Sequence, residues 1–250
     1  MAHKEFIRYN PGSRLAVLMI HGIVGSPDHF APFLATVPES VSVYNILLDG
    51  HGKAVEDFAS TSMEKWKNQV KTWLKIIFDR HEQVLLVAHS MGTLFALQAA
   101  IDHPDKIPAL FLLNVPTRPH YPPATMVASV RVAWGKVIPG YRRAFEMQNA
   151  SGVTLSRNYL KYISWIPRFA ELLSECRRIR LLLPELNVPA YTFQSRQDEL
   201  VAFRSVKDLE GHPYIKNTVL EKSGHFAYRQ EDLPMLQQAL KELIEKEIHK

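Results

Sequence analysis

The chain has 250 residues, 46% of them hydrophobic, a formal net charge of +5 and a single cysteine, Cys176. This is enough apolar material for a substantial core, in one large domain or two small ones. One cysteine excludes an internal disulfide, no Cys/His cluster has zinc-ligand spacing, and the longest apolar run near the N-terminus, Leu15 to Ile20, is far short of the roughly 20 residues that span a bilayer. A cytoplasmic protein without metal, cofactor or nucleic-acid partner is expected.

In chain order, a weak strand pattern near 5–9 precedes a clear one at 15–20, LAVLMI. The next loop, His21-Gly22-Ile23-Val24-Gly25, leads to a helix starting near Pro27 or Asp28. A strand is predicted at 41–48. Thr61 with Glu64 has the capping-box pattern, and Trp66, Val70, Trp73, Leu74 and Ile77 form one apolar face of a helix ending near Arg80. A strand at 84–88 runs almost without a loop into a helix at 91–102, followed by a strand at 109–114.

From 117 to 183 no strand-like run occurs. Prolines and scattered aromatics accompany 11 Lys/Arg and 3 Asp/Glu between Thr117 and Arg180, a local +8 that leaves −3 for the rest of the chain. This interval reads as an inserted helical cap, with 1–116 and 184–250 as the core. Strands at 190–194 and 217–221 and helices at 203–210 and 231–248 complete an alternation that requires a mostly parallel sheet with helices on both faces.

The chemistry centres on Ser90, in Ala88-His89-Ser90-Met91-Gly92. A sharp strand-to-helix turn lifts one side chain above the sheet edge, points the first helical N–H groups at the same space, and demands small neighbours, which Ala88 and Gly92 supply. This is the G-x-S-x-G elbow with alanine for its first glycine. A serine at such a seam also suits an N-cap. Three further stretches favour the nucleophile. The glycine-bearing loop after 15–20 is able to bend over the elbow and aim the Ile23 N–H at the spot faced by the Met91 N–H, a two-donor oxyanion hole. Asp198 follows the strand at 190–194. His225 follows the last strand. The order Ser90, Asp198, His225, each beyond its own strand, is the order of a hydrolase triad. Glu199 is expected to point elsewhere, Asp208 to lie inside the next helix, and His89 to point away from Ser90, while His51 and His212 sit in other loops.

The segments HGIVGS, DGHGK, AHSMG, QDELV and SGHF resemble those of the α/β-hydrolase superfamily, in its bacterial carboxylesterase and monoacylglycerol-lipase branch. The resemblance implies an α/β-hydrolase fold, an eight-stranded, mostly parallel sheet with a lid inserted after the sixth strand. Some members place the acid after that strand, where LLNVPTRP offers only Asn114.

The expected activity is hydrolysis of carboxylic esters through an acyl-serine. A carbon–carbon bond hydrolase or a proline-specific peptidase would use the same triad, a non-catalytic ligand-binding protein should have lost part of it, and a haloalkane dehalogenase would need aspartate at position 90. In the cap, Trp134, Phe145, Tyr159, Tyr162, Trp165 and Phe169 offer apolar area for a medium or long acyl chain. Arg131, Arg142, Arg143, Arg157, Arg168, Arg177 and Arg178 offer either a positive rim that draws lipid or anionic substrate or an ordinary solvated surface.

Overall fold

A computed structural model describes residues 3–137 and 140–250, and the Tyr159 side chain also lies outside the described residues. Seven strands form one sheet: β1 (Phe6–Arg8), β2 (Leu15–Ile20), β3 (Ser42–Ile46), β4 (Gln83–His89), β5 (Leu110–Leu113), β6 (Ala190–Ser195) and β7 (Ile215–Leu220). Their order across the sheet is β1-β3-β2-β4-β5-β6-β7, and every pairing is parallel except that of β1 with β3. The helices are α1 (Ala31–Leu34), α2 (Val55–Ala59), α3 (Met63–Phe78), α4 (Met91–Asp102), α5 (Pro123–Ala133), α6 (Arg142–Ala150), α7 (Ile166–Leu182), α8 (Val206–Leu209) and α9 (Leu233–Ile248).

The solid apolar runs of β2 and β4 follow from burial on both faces. Along β2, Ala16, Leu18 and Ile20 join the larger core cluster, with residues of α3, α4 and α7. Leu15, Val17 and Met19 join the opposite one, against Phe30, Phe33 and residues of α9. This period of two is what strand geometry imposes.

The sheet has seven strands, not the eight implied by resemblance. Two follow the cap, as expected, so the difference lies before it, and the insertion comes after the fifth strand. Ahead of β2 the described residues hold one short strand, β1, paired antiparallel with β3. The predicted capping box does not form, because the N-cap lies one residue later and its N3 residue is Lys65. Ser62 is the N-cap of α3 and accepts the Lys65 N–H, whereas the Thr61 hydroxyl is buried without a partner. A second acceptor for the first turn comes from the cap, where Glu171 accepts the Met63 N–H at 2.9 Å. Tertiary contact has replaced the local pattern.

Between β5 and β6 lie α5, α6, a 3-10 helix (Tyr159–Trp165) and α7. Leu172, Cys176 and Ile179 of α7 are buried in the same cluster as β4 and α4, while Ala128, Val132 and Ala144 of α5 and α6 form a small cluster of their own.

Candidate active site

The turn at Ser90 is strained. With φ 51 and ψ −123, a non-glycine residue occupies a region that L-residues adopt only when the surroundings impose it. Two close approaches impose it. A Cβ on Gly92 would lie 2.1 Å from the Ile20 carbonyl oxygen, so α4 starts directly against β2. A Cβ on Gly22 would lie 2.9 Å from the Ser90 Cβ, so the loop after β2 folds onto the serine. Among the described residues, neither the Ile23 nor the Met91 N–H donates to another protein group.

Asp198 and His225, from the loops after β6 and β7, meet at 2.8 Å between Oδ2 and Nδ1, and both side chains are almost fully buried. The other carboxylate oxygen of Asp198 accepts the N–H groups of Leu200 and Val201 at 2.7 and 2.6 Å, which fixes its plane. With Nδ1–H donated to Asp198, Nε2 of His225 is the free acceptor. Burial disfavours the imidazolium, but the charge and hydrogen bond of Asp198, helped by Glu199, outweigh it and raise the His225 pKa above its ordinary value.

Two neighbours depart from expectation. Glu199 does not point away: its Oε2 accepts the His225 N–H at 2.6 Å, and its carboxylate packs so closely on Gly224 that a Cβ there would be 2.7 Å from it. Burial, with Asp198 alongside and the His225 N–H opposing, raises its pKa. The loop through Ser223 and Gly224 brings the His225 main chain to it. His89 does not point away either. It lines the cavity, its ring centroid 4.7 Å from that of His225 and 3.8 Å from that of His29, on which it stacks. Among the described residues its Nε2 is buried without a hydrogen-bond partner. His89 keeps the alternation of β4: Leu85 and Val87 join the cluster that holds Phe30, and His89, next on that face, meets His29.

The remaining competitors lie elsewhere. Asp208 binds Arg118 at 2.6 Å, and His212 accepts the Tyr214 N–H at 3.3 Å. Asn114 accepts the Ser195 N–H at 2.9 Å, so it braces β6.

His225, His89 and Gly22 line a cavity of about 440 Å³ roofed by the cap. Trp134, Tyr162, Trp165 and Phe169 line it as expected, but Phe145 does not. Val130, Met147 and Leu155 are lining residues the sequence did not single out, being aliphatic residues without aromatic or charged signals. No Lys, Arg, Asp or Glu lines it among the described residues. Of the cap arginines that offered either a rim or a solvated surface, four are engaged in cap architecture: Arg131 stacks on Tyr141, Arg142 pairs with Glu146, Arg168 binds Glu171 and the Ala59 carbonyl, and Arg178 binds Glu175 and Gln98. Among the described residues no group of three or more His, Cys, Asp or Glu is placed to hold a metal ion.

Over 101 residues the chain is 31% identical to a thermostable monoacylglycerol lipase of Bacillus sp. (strain H-257), a match spanning 39% of this chain and 39% of that protein. Among solved structures it is similar to one from the metagenome-derived lipolytic enzymes LipS and LipT, with a TM-score of 0.75 and 19% identity over 98% of both chains. It is also similar to the monoacylglycerol lipase of Paleococcus ferrophilus, with a TM-score of 0.67 and 16% identity over 96% of this chain and 97% of that one. At those identities the likeness is one of fold. The sequence profile of the alpha/beta hydrolase family matches residues 17–245, a span that contains the Ser90 turn, the Asp198–His225 pair and the cap, and the chain belongs to that family.

Proposed function

We propose that this protein is a serine hydrolase that cleaves carboxylic esters through an acyl-serine intermediate. The observation that carries the reading is the buried Asp198–His225 pair, its imidazole 4.7 Å from the ring of His89, which precedes the strained Ser90, with the Met91 N–H at that turn and the Ile23 N–H of the loop packed on it unengaged among the described residues. Nε2 of His225 takes the Ser90 proton as Oγ attacks the ester carbonyl, and Asp198 holds the ring and stabilises its charged form. The oxyanion lies against the N–H groups of Ile23 and Met91. Collapse expels the alcohol, which takes the proton from His225. Water then repeats the sequence on the acyl-serine and releases the acid.

The cavity supports a neutral ester of medium or long acyl chain: its walls are aromatic and aliphatic, and no charged group among the described residues lines it. Hydrolysis of acylglycerol-like esters fits this lining and is the activity named for the Bacillus relative. The test is a panel of p-nitrophenyl esters of increasing chain length, assayed with chelator present. Octanoyl esters are expected to exceed acetyl esters in kcat/KM, and Ser90→Ala or His225→Ala to lower kcat by roughly 10⁴-fold or more. Wild-type rates in Ser90→Ala would overturn the reading.

A further inference from the structure

Val24, which follows the proposed oxyanion donor Ile23, has φ 57. A β-branched residue enters that region only when neighbours hold it there. Here both sides of Val24 are held. Its N–H donates to Nε2 of His51 at 3.1 Å, and its carbonyl accepts the Gly152 N–H at 2.6 Å. His51 is itself fixed, because its Nδ1 lies 3.1 Å from the Leu48 carbonyl and 3.2 Å from that of Asp49, which makes Nδ1 the donor and Nε2 the acceptor.

Gly152 belongs to the cap, just beyond α6. Its carbonyl accepts the Gly52 N–H at 2.5 Å, and two residues on the Thr154 N–H donates to the Lys53 carbonyl at 2.8 Å. A Cβ at Gly152 would lie 1.8 Å from the Gly25 carbonyl oxygen and 2.9 Å from the Ser26 Cβ. The cap backbone is thus wedged against the loop that carries Ile23 and against the loop that carries His51.

We propose that the cap segment 151–154 sets the oxyanion loop, with Gly152 and His51 as positioning residues that hold Val24 in its strained conformation and so aim the Ile23 N–H. This rests on Ile23 being an oxyanion donor in the ester hydrolysis proposed above. The cap then does more than wall the cavity: one half of the oxyanion hole is correctly aimed only while the cap is seated.

The test compares wild type with Gly152→Ala and Thr154→Pro, the second at an exposed position whose N–H makes one docking hydrogen bond. Three quantities are measured: kcat and KM for p-nitrophenyl octanoate, inhibition by octylboronic acid, whose tetrahedral serine adduct places an oxygen in the hole, and inhibition by 1-octanol, which fills only the apolar cavity. Gly152→Ala is expected to lower kcat on the order of 10²-fold, the scale of one oxyanion donor, and to weaken the boronate by a similar factor. KM and octanol inhibition should stay within about threefold. Thr154→Pro should show the same split with a loss of about tenfold or less, the worth of one hydrogen bond. Should Gly152→Ala fail to fold, Thr154→Pro decides alone. Unchanged kcat in the folded variants overturns the proposal, as does a kcat loss with boronate affinity unchanged or with octanol affinity lost in parallel. A wild type inactive on every ester overturns the underlying reading of function, and this proposal with it.

Discussion

Lowering the pH from 7 to 5 is expected to destabilise the native state by about 4 kcal/mol through His29 and His51 alone. Burial is the main cause that depresses both, to about 3 for His29 in the cavity wall and about 4 for His51 in the core, with His225 adding to the shift at His29 and two carbonyl hydrogen bonds opposing it at His51. In the unfolded chain each titrates near ~6.5. Between the two values the unfolded state binds more protons than the folded one. The stability is therefore whole above the unfolded pKa, and it is lost as pH falls toward the folded values. Integrated from pH 7 to 5 the loss is about 2 kcal/mol per histidine, as folded values of about 4 or lower require. His21 and His89 are depressed too, first by burial, and add to the loss. His225, which is raised, acts in the opposite sense above about pH 6.5. Against a total of about 5–15 kcal/mol, this is a large share. Urea unfolding followed by tryptophan fluorescence at intervals between pH 7 and 5 gives the slope directly. His29→Gln should reduce the proton uptake on unfolding by about one. A flat stability across that range, or a slope untouched by His29→Gln, would refute the neutral buried imidazoles.

Other expectations concern catalysis. The acid limb of kcat/KM should lie above the ordinary histidine value, activity being lost as pH falls through the raised His225 pKa, and a limb well below pH 6.5 would count against the Asp198 pairing. Asp198→Asn should cut kcat on the order of 10⁴-fold while the fold persists. Glu199→Gln keeps an acceptor for the His225 N–H but removes a charge, so it should move the acid limb to lower pH with a smaller loss of kcat; an unmoved limb would reduce Glu199 to a loop brace. Rates on neutral esters should be indifferent to salt between low and moderate ionic strength, because no charged side chain lines the described cavity. A marked, salt-sensitive preference for an anionic ester of equal chain length would return Arg143, Arg157 and Arg177 to the binding surface.

What the sequence disclosed about this fold was what local pattern controls. The apolar runs of β2, β5 and Val84–Ala88 of β4 are legible because burial on both faces leaves no polar position within them. The Ser90 turn and the chain order of Asp198 and His225 are legible because each needs a short signal beyond a strand. Contacts between segments distant in sequence were not legible. Thr61 looked like a cap because nothing nearby reveals that Glu171 serves α3 from 108 residues away. Glu199 looked like one more loop acid, since only the folded loop through Ser223 and Gly224 brings it the His225 N–H. Gly152 carried no signal at all: its requirement comes from the Gly25 carbonyl, 127 residues earlier in the chain.

The path of the chain between β5 and β6 bears on how a different cap can be grafted onto this fold. Those strands are parallel neighbours, and a parallel pair needs a crossover of a dozen or more residues, usually a helix. That crossover is α7, whose Cys176 and Ile179 are sealed into the core beside α4. The exchangeable module is therefore shorter than the whole insertion. A graft that swaps residues 117–165 and keeps α7 leaves the sheet its connection, whereas one that replaces everything up to 183 removes a layer of the core along with the roof.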